Sequence, residues 1–246
     1  HTMDMTLANA RLIAGYERSV PLRDQIGSRR FTVSLITALF HDSGYIRHES
    51  ETGVDNGAEL TAKHVSRGAD FLSRYLPSLG LGDSSEVAAS MVHYSGYEIP
   101  PEHIILKEPK DRLAGFMLGT SDLMAQMADR CYLEKCRDRL YQEFVLAGIA
   151  VSKDGQGRAR VTYSSGDDLV QKTRAFYYNQ VRKRLDTSFC GVHEYFSGFF
   201  DGSNPYQTAI DKSIEYLEQT SNDVADLKLR RQPPVFTSEG DSLDTV

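Results

Sequence analysis

The sequence predicts an all-α protein. Apolar residues recur at spacings of three and four through most of the chain, strand-like alternation is confined to one short stretch, and caps and prolines stand where the periodic runs start and stop. Residues 2–18 carry Met5, Leu12, Ile13 and Tyr16 at helical spacing, with a break at Pro21. The run 28–41 (Phe31, Val33, Leu35, Ile36, Leu39, Phe40) is apolar nearly all round, so a central helix is expected, stopped at Gly44. After a polar loop at 45–56, one helical face holds Leu60, His64, Val65, Leu72, Tyr75 and Leu76 and ends at Pro77. A shorter helix is expected at about 84–94, with Val87, Met91 and Val92, and Pro100-Pro101 mark a loop. A long helical tract at about 110–147 should break near Gly119. Around Asp154-Gly155-Gln156-Gly157 the chain reads as a small hairpin or long loop, 148–166. Helices resume at 167–186 and at 205–219, the latter opened by Asn204 as cap and Pro205 at the first helical position. From Arg230 the tail is polar and proline-bearing.

Composition narrows the function. The 246 residues are 40% apolar and 25% charged, enough for a sizeable core without cross-links. Lys and Arg number 28 against 34 Asp and Glu, a net charge of −6, which argues against a long nucleic acid as partner while leaving room for a local anion pocket. No apolar run reaches the roughly 18–20 residues of a membrane span. The start does not read as a secretory signal, and three cysteines (Cys131, Cys136, Cys190) fit reduced, buried thiols in a cytoplasmic protein.

The histidines carry the chemistry. His41-Asp42 ends the most apolar helix, His64 shares a buried face with Leu60 and Leu72, His93 ends the next helix, and Asp122 stands among apolar neighbours in Gly119-Thr120-Ser121-Asp122-Leu123-Met124. Each alone could be a core residue with its own partner, and His41-Asp42 could simply cap its helix. A shared divalent cation satisfies all four places together, because it supplies the missing charge and takes neutral imidazole as ligand. There is no Walker loop, dinucleotide glycine motif or Gly-x-Ser-x-Gly elbow.

His41-Asp42 followed by His64, His93 and Asp122 resembles the HD-domain superfamily of metal-dependent phosphohydrolases, over roughly residues 1–147. The opening His1-Thr2-Met3-Asp4-Met5 is similar to a metal-binding His stretch of the cyclic-nucleotide phosphodiesterase branch, and Leu140-Tyr141-Gln142-Glu143-Phe144 to a Glu-Phe segment downstream of that branch's distal Asp. That likeness implies a chain that begins inside a helix with further sequence in front; His1-Thr2-Met3 as a tag remnant is the alternative. His64 with Gly68, and His93-Tyr94-Ser95-Gly96-Tyr97, resemble the HD-GYP branch, although Tyr94 replaces its second His and no Pro follows Tyr97.

The resemblance implies an HD-type helical bundle at 1–147, a helical extension at 148–229 and an extended tail at 230–246. It implies two divalent cations (Mn, Fe, Zn, Ni or Mg): His1, His41, Asp42 and Asp122 on one, and Asp42 bridging to a second completed by His64 and His93. Asp42 and His64 would stand closest to the reaction. Tyr97 is a candidate substrate contact, and Arg130, two turns past Asp122 on a helix face the two could share, is a candidate phosphate contact or a surface ion pair. The implied activity is hydrolysis of a nucleotide-type phosphodiester, with a nucleotidase or nucleoside-triphosphate hydrolase, or an inactive regulatory domain, as alternatives. His48 could be a ligand or substrate contact, and Glu59 could hold a water or cap a helix. His103 and His193 read as structural or solvated. Val235 and Phe236 are expected to dock the tail on the helical body or on a second copy of the chain, a homodimer.

Overall fold

The computed structural model describes residues 1–153, 155–220 and 228–233. Its elements are helices joined by 3-10 and π turns plus one two-stranded hairpin, an all-α architecture. Helix α1 (Thr2–Ser19) buries Met5, Ala8, Leu12, Ile13 and Tyr16, one stripe at the expected spacing, against α5 (Pro109–Met127). Asn9, the polar member of that stripe, donates from Nδ2 to Ser34 Oγ (2.8 Å) on α2 (Ser28–Phe40), while its buried Oδ1 has no partner among the described residues.

Helix α2 is less enclosed than its composition suggests. Only Val33, Ser34, Thr37 and Ala38 are buried, and Leu39 is 42% exposed. The helix lies between two apolar clusters: Ala38 joins the main core, whereas Val33, Ile36 and Phe40 join a smaller cluster with α3 (His64–Ser78) and α4 (Ser85–Met91). Two clusters explain an apolar surface on most sides of a partly exposed helix. Within α3 the stripe Val65, Ala69, Leu72, Leu76 is buried, and Pro77 stands inside the last turn rather than ending it. A 3-10 turn, Gly57–Lys63, takes the place of the helix expected around Leu60.

The break expected near Gly119 does not occur. Helix α5 runs unbroken to Met127, and the chain turns at 128–131, where Asp129 Oδ1 accepts from Cys131 N (2.7 Å). Gly119 is small for a packing reason. A Cβ there would lie 2.4 Å from Tyr94 O and 2.6 Å from the Phe189 ring. Beyond the turn come α6 (Tyr132–Lys135), a π turn at Cys136–Leu140 and α7 (Tyr141–Leu146). The hairpin forms as β1 (Val151–Lys153) antiparallel to β2 (Ala159–Val161), with Val151 opposite Val161.

The extension folds onto the same core. It comprises α8 (Gly166–Phe176), π turns at Tyr177–Val181 and Arg184–Ser188, α9 (Phe196–Phe199) and α10 (Pro205–Gln219). Val170, Leu185, Phe189, Phe196 and Ile210 are buried in one cluster with Met5 and Leu118. Asn204 caps α10 by accepting from Gln207 N (3.1 Å). Cys131 and Cys136 are buried thiols, but Cys190 is exposed, held at φ 55° in a turn beside Gly191. Of the tail, Arg231 is tied to Glu134 Oε1 through its backbone N–H (3.1 Å) and to Arg130 O through its guanidinium; Val235 and Phe236 lie outside the described residues. Among the described residues no helix is long and apolar enough to cross a membrane.

Candidate metal centre

Helix ends and helix packing bring the polar residues together. His41 terminates α2, and its Nδ1 donates to Ala38 O one turn back (2.8 Å), so Nε2 faces away from the helix. Asp42 caps the 3-10 turn Ser43–Tyr45 and places Oδ2 3.1 Å from that Nε2. His1 is the N-cap residue of α1 and accepts at its carbonyl from Met5 N (2.9 Å). Packing of α1 on α5 then sets His1 Nε2 2.8 Å from Asp122 Oδ1, an oxygen also 3.7 Å from His41 Nε2. The His1 and His41 rings meet edge to face at 5.4 Å. Donor atoms of His1, His41 and Asp42 all lie within 4.8 Å of one another.

His64 approaches from the other side. Its Nδ1 donates to Thr61 O (2.7 Å), and its Nε2 lies 4.0 Å from Asp42 Oδ1. The two oxygens of Asp42 therefore face different imidazoles. The Tyr45 ring stacks on His64 (4.3 Å, 19°), and both the Tyr45 hydroxyl and Thr61 Oγ1 donate to Glu143 Oε1 (3.3 and 3.4 Å). Burial raises the pKa of Glu143, with Tyr45 and Thr61 pulling the other way. This backing holds the His64 ring in one plane, the service that outer residues commonly perform for metal-ligating histidine.

Gly44 makes the approach possible. A Cβ at that position would stand 1.7 Å from His64 O and 2.6 Å from its carbonyl carbon. Since the obstacle is backbone, Gly44→Ala must push α3 away from Asp42. We expect a loss of roughly 1–3 kcal/mol in stability, read by denaturant melts.

Two carboxylates set the electrostatics of the cluster. Burial opposes protonation of His41, yet its hydrogen bond to Asp42 and the charges of Asp122 and Asp42 raise its pKa to about 9. His1 is raised too: burial works against it, but Asp122 outweighs burial. Burial pushes Asp42 up, and the three imidazoles more than reverse this, so it stays ionised. With Nδ1 already spent on a carbonyl, a neutral His41 points a lone pair at carboxylate oxygens. Two acceptors at 3.1 Å require a proton or a metal ion between them.

No family model, curated protein or solved structure matches this chain. The chemistry open to the cluster follows from its donor set of imidazole nitrogens and carboxylate oxygens, which suits Mn, Fe, Zn or Ni.

Other expected residues fall elsewhere. His93 stands in the 3-10 turn Val92–Ser95, its Nδ1 is buried without a partner, and its charged neighbour is Glu98 rather than Asp42, so the structure does not join it to the cluster. Arg130 is exposed beyond the end of α5, because the helix that was to align it with Asp122 stops at Met127. Tyr97 does stand near the centre. Its ring is 58% exposed, and the charge of Asp122 reaches it. Glu59 completes a capping box with Asn56, His48 lies exposed in the 45–56 loop with its N–H on Glu51, His103 is exposed, and His193 is buried beside Glu194. Sequence reasoning passed over Tyr45 and Thr61, although Thr61, three residues before His64, is where a carbonyl for its Nδ1 would be sought.

Proposed function

We propose that the chain is a metal-dependent phosphohydrolase acting on a small, nucleotide-type phosphate ester, with His1, His41, Asp42 and Asp122 holding a divalent cation. The observation that carries this is the pairing of lone pairs: each of His41 and His64 spends Nδ1 on a carbonyl and turns Nε2 toward Asp42. A divalent cation there would polarise a phosphoryl oxygen and make a hydrolytic nucleophile available at neutral pH. The protein's own part is to fix the ligands. Ala38 O and Thr61 O set the imidazole tautomers, Tyr45 and Glu143 brace His64, and the enclosed side chain of His41 (3% exposed) keeps bulk water from that edge.

The phosphodiesterase form of this reading needs a second cation, for which Asp42 Oδ1 and His64 supply a start. The separate place of His93 favours the alternative of one cation and a nucleotidase or nucleoside-triphosphate hydrolase. Elemental mass spectrometry on untreated protein distinguishes them. Two metals per chain support the phosphodiesterase, one supports the nucleotidase, and none leaves a regulatory domain. A panel of phosphodiesters and phosphomonoesters with added Mn then reads the activity, and no turnover of any member with metal bound would count against hydrolysis.

A further inference from the structure

Arg184 is a cation buried without a carboxylate. It is 7% exposed and opens the π turn Arg184–Ser188, a helix distortion frequent at functional sites. Its Nη2 donates to Tyr94 O (3.1 Å) and Gly96 O (2.5 Å), and its guanidinium carbon lies 4.3 Å from the Tyr97 ring centroid and 5.1 Å from that of Phe189. Nε is sealed from solvent with no hydrogen-bond partner, and the Tyr97 side chain both stacks on the guanidinium and hydrogen-bonds to it. No carboxylate oxygen of the described residues lies within 4.0 Å. A buried charge with no counter-ion is costly, and ring stacking and the two carbonyls offset that cost only in part.

Its place is beside the metal centre. Tyr94 O, which Arg184 holds, rests against Gly119, three residues before Asp122 on the same face of α5. Asp122 is the carboxylate whose charge Arg184 feels, and the partly exposed Tyr97 lies over the guanidinium. We propose that Arg184 is the anion-binding residue of this site, its guanidinium, beside the exposed Tyr97, receiving a non-bridging phosphoryl oxygen of the substrate. The inference rests on the phosphohydrolase reading and deepens it: the helical extension completes the site begun by the first 147 residues, and the ligand itself supplies the anion that Arg184 lacks.

The probe is inorganic phosphate, titrated calorimetrically into the Mn-treated full chain with metal content measured on the same samples. Arg184→Gln should weaken phosphate at least tenfold with metal content unchanged. Arg184→Lys should recover part of the affinity, since it restores charge but not the planar stack. Equal phosphate affinity in Arg184→Gln and wild type overturns the proposal while leaving the metal reading intact. Absence of bound metal in wild type sinks the phosphohydrolase reading instead, and the same phosphate comparison on chelated protein still judges Arg184. Should Arg184→Gln fail to fold, the side-chain nitrogen NMR signals of wild-type arginines decide. The signal missing from Arg184→Lys must shift on adding phosphate, and a static signal overturns the proposal.

Discussion

Asp42→Ala is expected to remove bound metal and hydrolytic turnover together, each by two orders of magnitude or more, whereas His103→Ala leaves both near wild type. Asp42 is the residue whose two oxygens face His41 and His64 separately, so its loss opens both halves of the centre. It also strips His41 of its hydrogen-bonded anion, leaving a nearly enclosed imidazole next to Asp122 alone. His103 is exposed on the Pro101–His103 turn and serves as the matched control. Metal content by mass spectrometry and turnover on the responsive phosphate ester are the two readouts. An Asp42→Ala protein that keeps its metal and its rate would falsify the assignment of the centre.

Cation affinity should climb steeply with pH between about 6.5 and about 9. In the metal-free protein His41 is protonated across that range, because its folded pKa stands at about 9 against an ordinary 6.5. A metal ligand must be neutral, so uptake expels that proton, and affinity should rise about tenfold per pH unit for each proton released. The stability of the metal-free chain runs the other way. The imidazolium–carboxylate contribution is complete below pH 6.5 and fades as pH rises through about 9. Calorimetry of Mn binding in two buffers of different ionisation enthalpy counts the protons directly. Zero protons released at pH 7 would mean that His41 keeps its proton and is not a ligand.

Helix positions with a local cause were legible from the chain. Met5, Leu12, Ile13 and Tyr16 mark α1 by spacing, and Asn204-Pro205 marks the start of α10 by cap chemistry. His41, Asp42, His64 and Asp122 drew notice because each puts a polar group among apolar neighbours, and these four converge with His1. Gly119 misled because a glycine that makes room for another segment reads the same as one that breaks a helix. Arg130 inherited that error in reverse: it was aligned with Asp122 on a helix that had already ended. His93 and Arg184 depended on long-range contacts. Arg184 meets carbonyls 90 and 88 residues away, and an arginine among the charged residues of 182–186 carries no local mark of burial. Glu143 is similar, meeting Tyr45 98 residues earlier in the chain.

The contact between His1 and Asp122 joins positions 121 apart in sequence. A cation seated there acts as a reversible cross-link of the folded chain: it is lost on unfolding, so it stabilises through its binding free energy rather than, as a disulfide does, by constraining the unfolded state. The metal would then be a fastener as well as a reagent. Chelation should release the first turn of α1 from α5, and amide exchange would quicken there ahead of the rest of the chain.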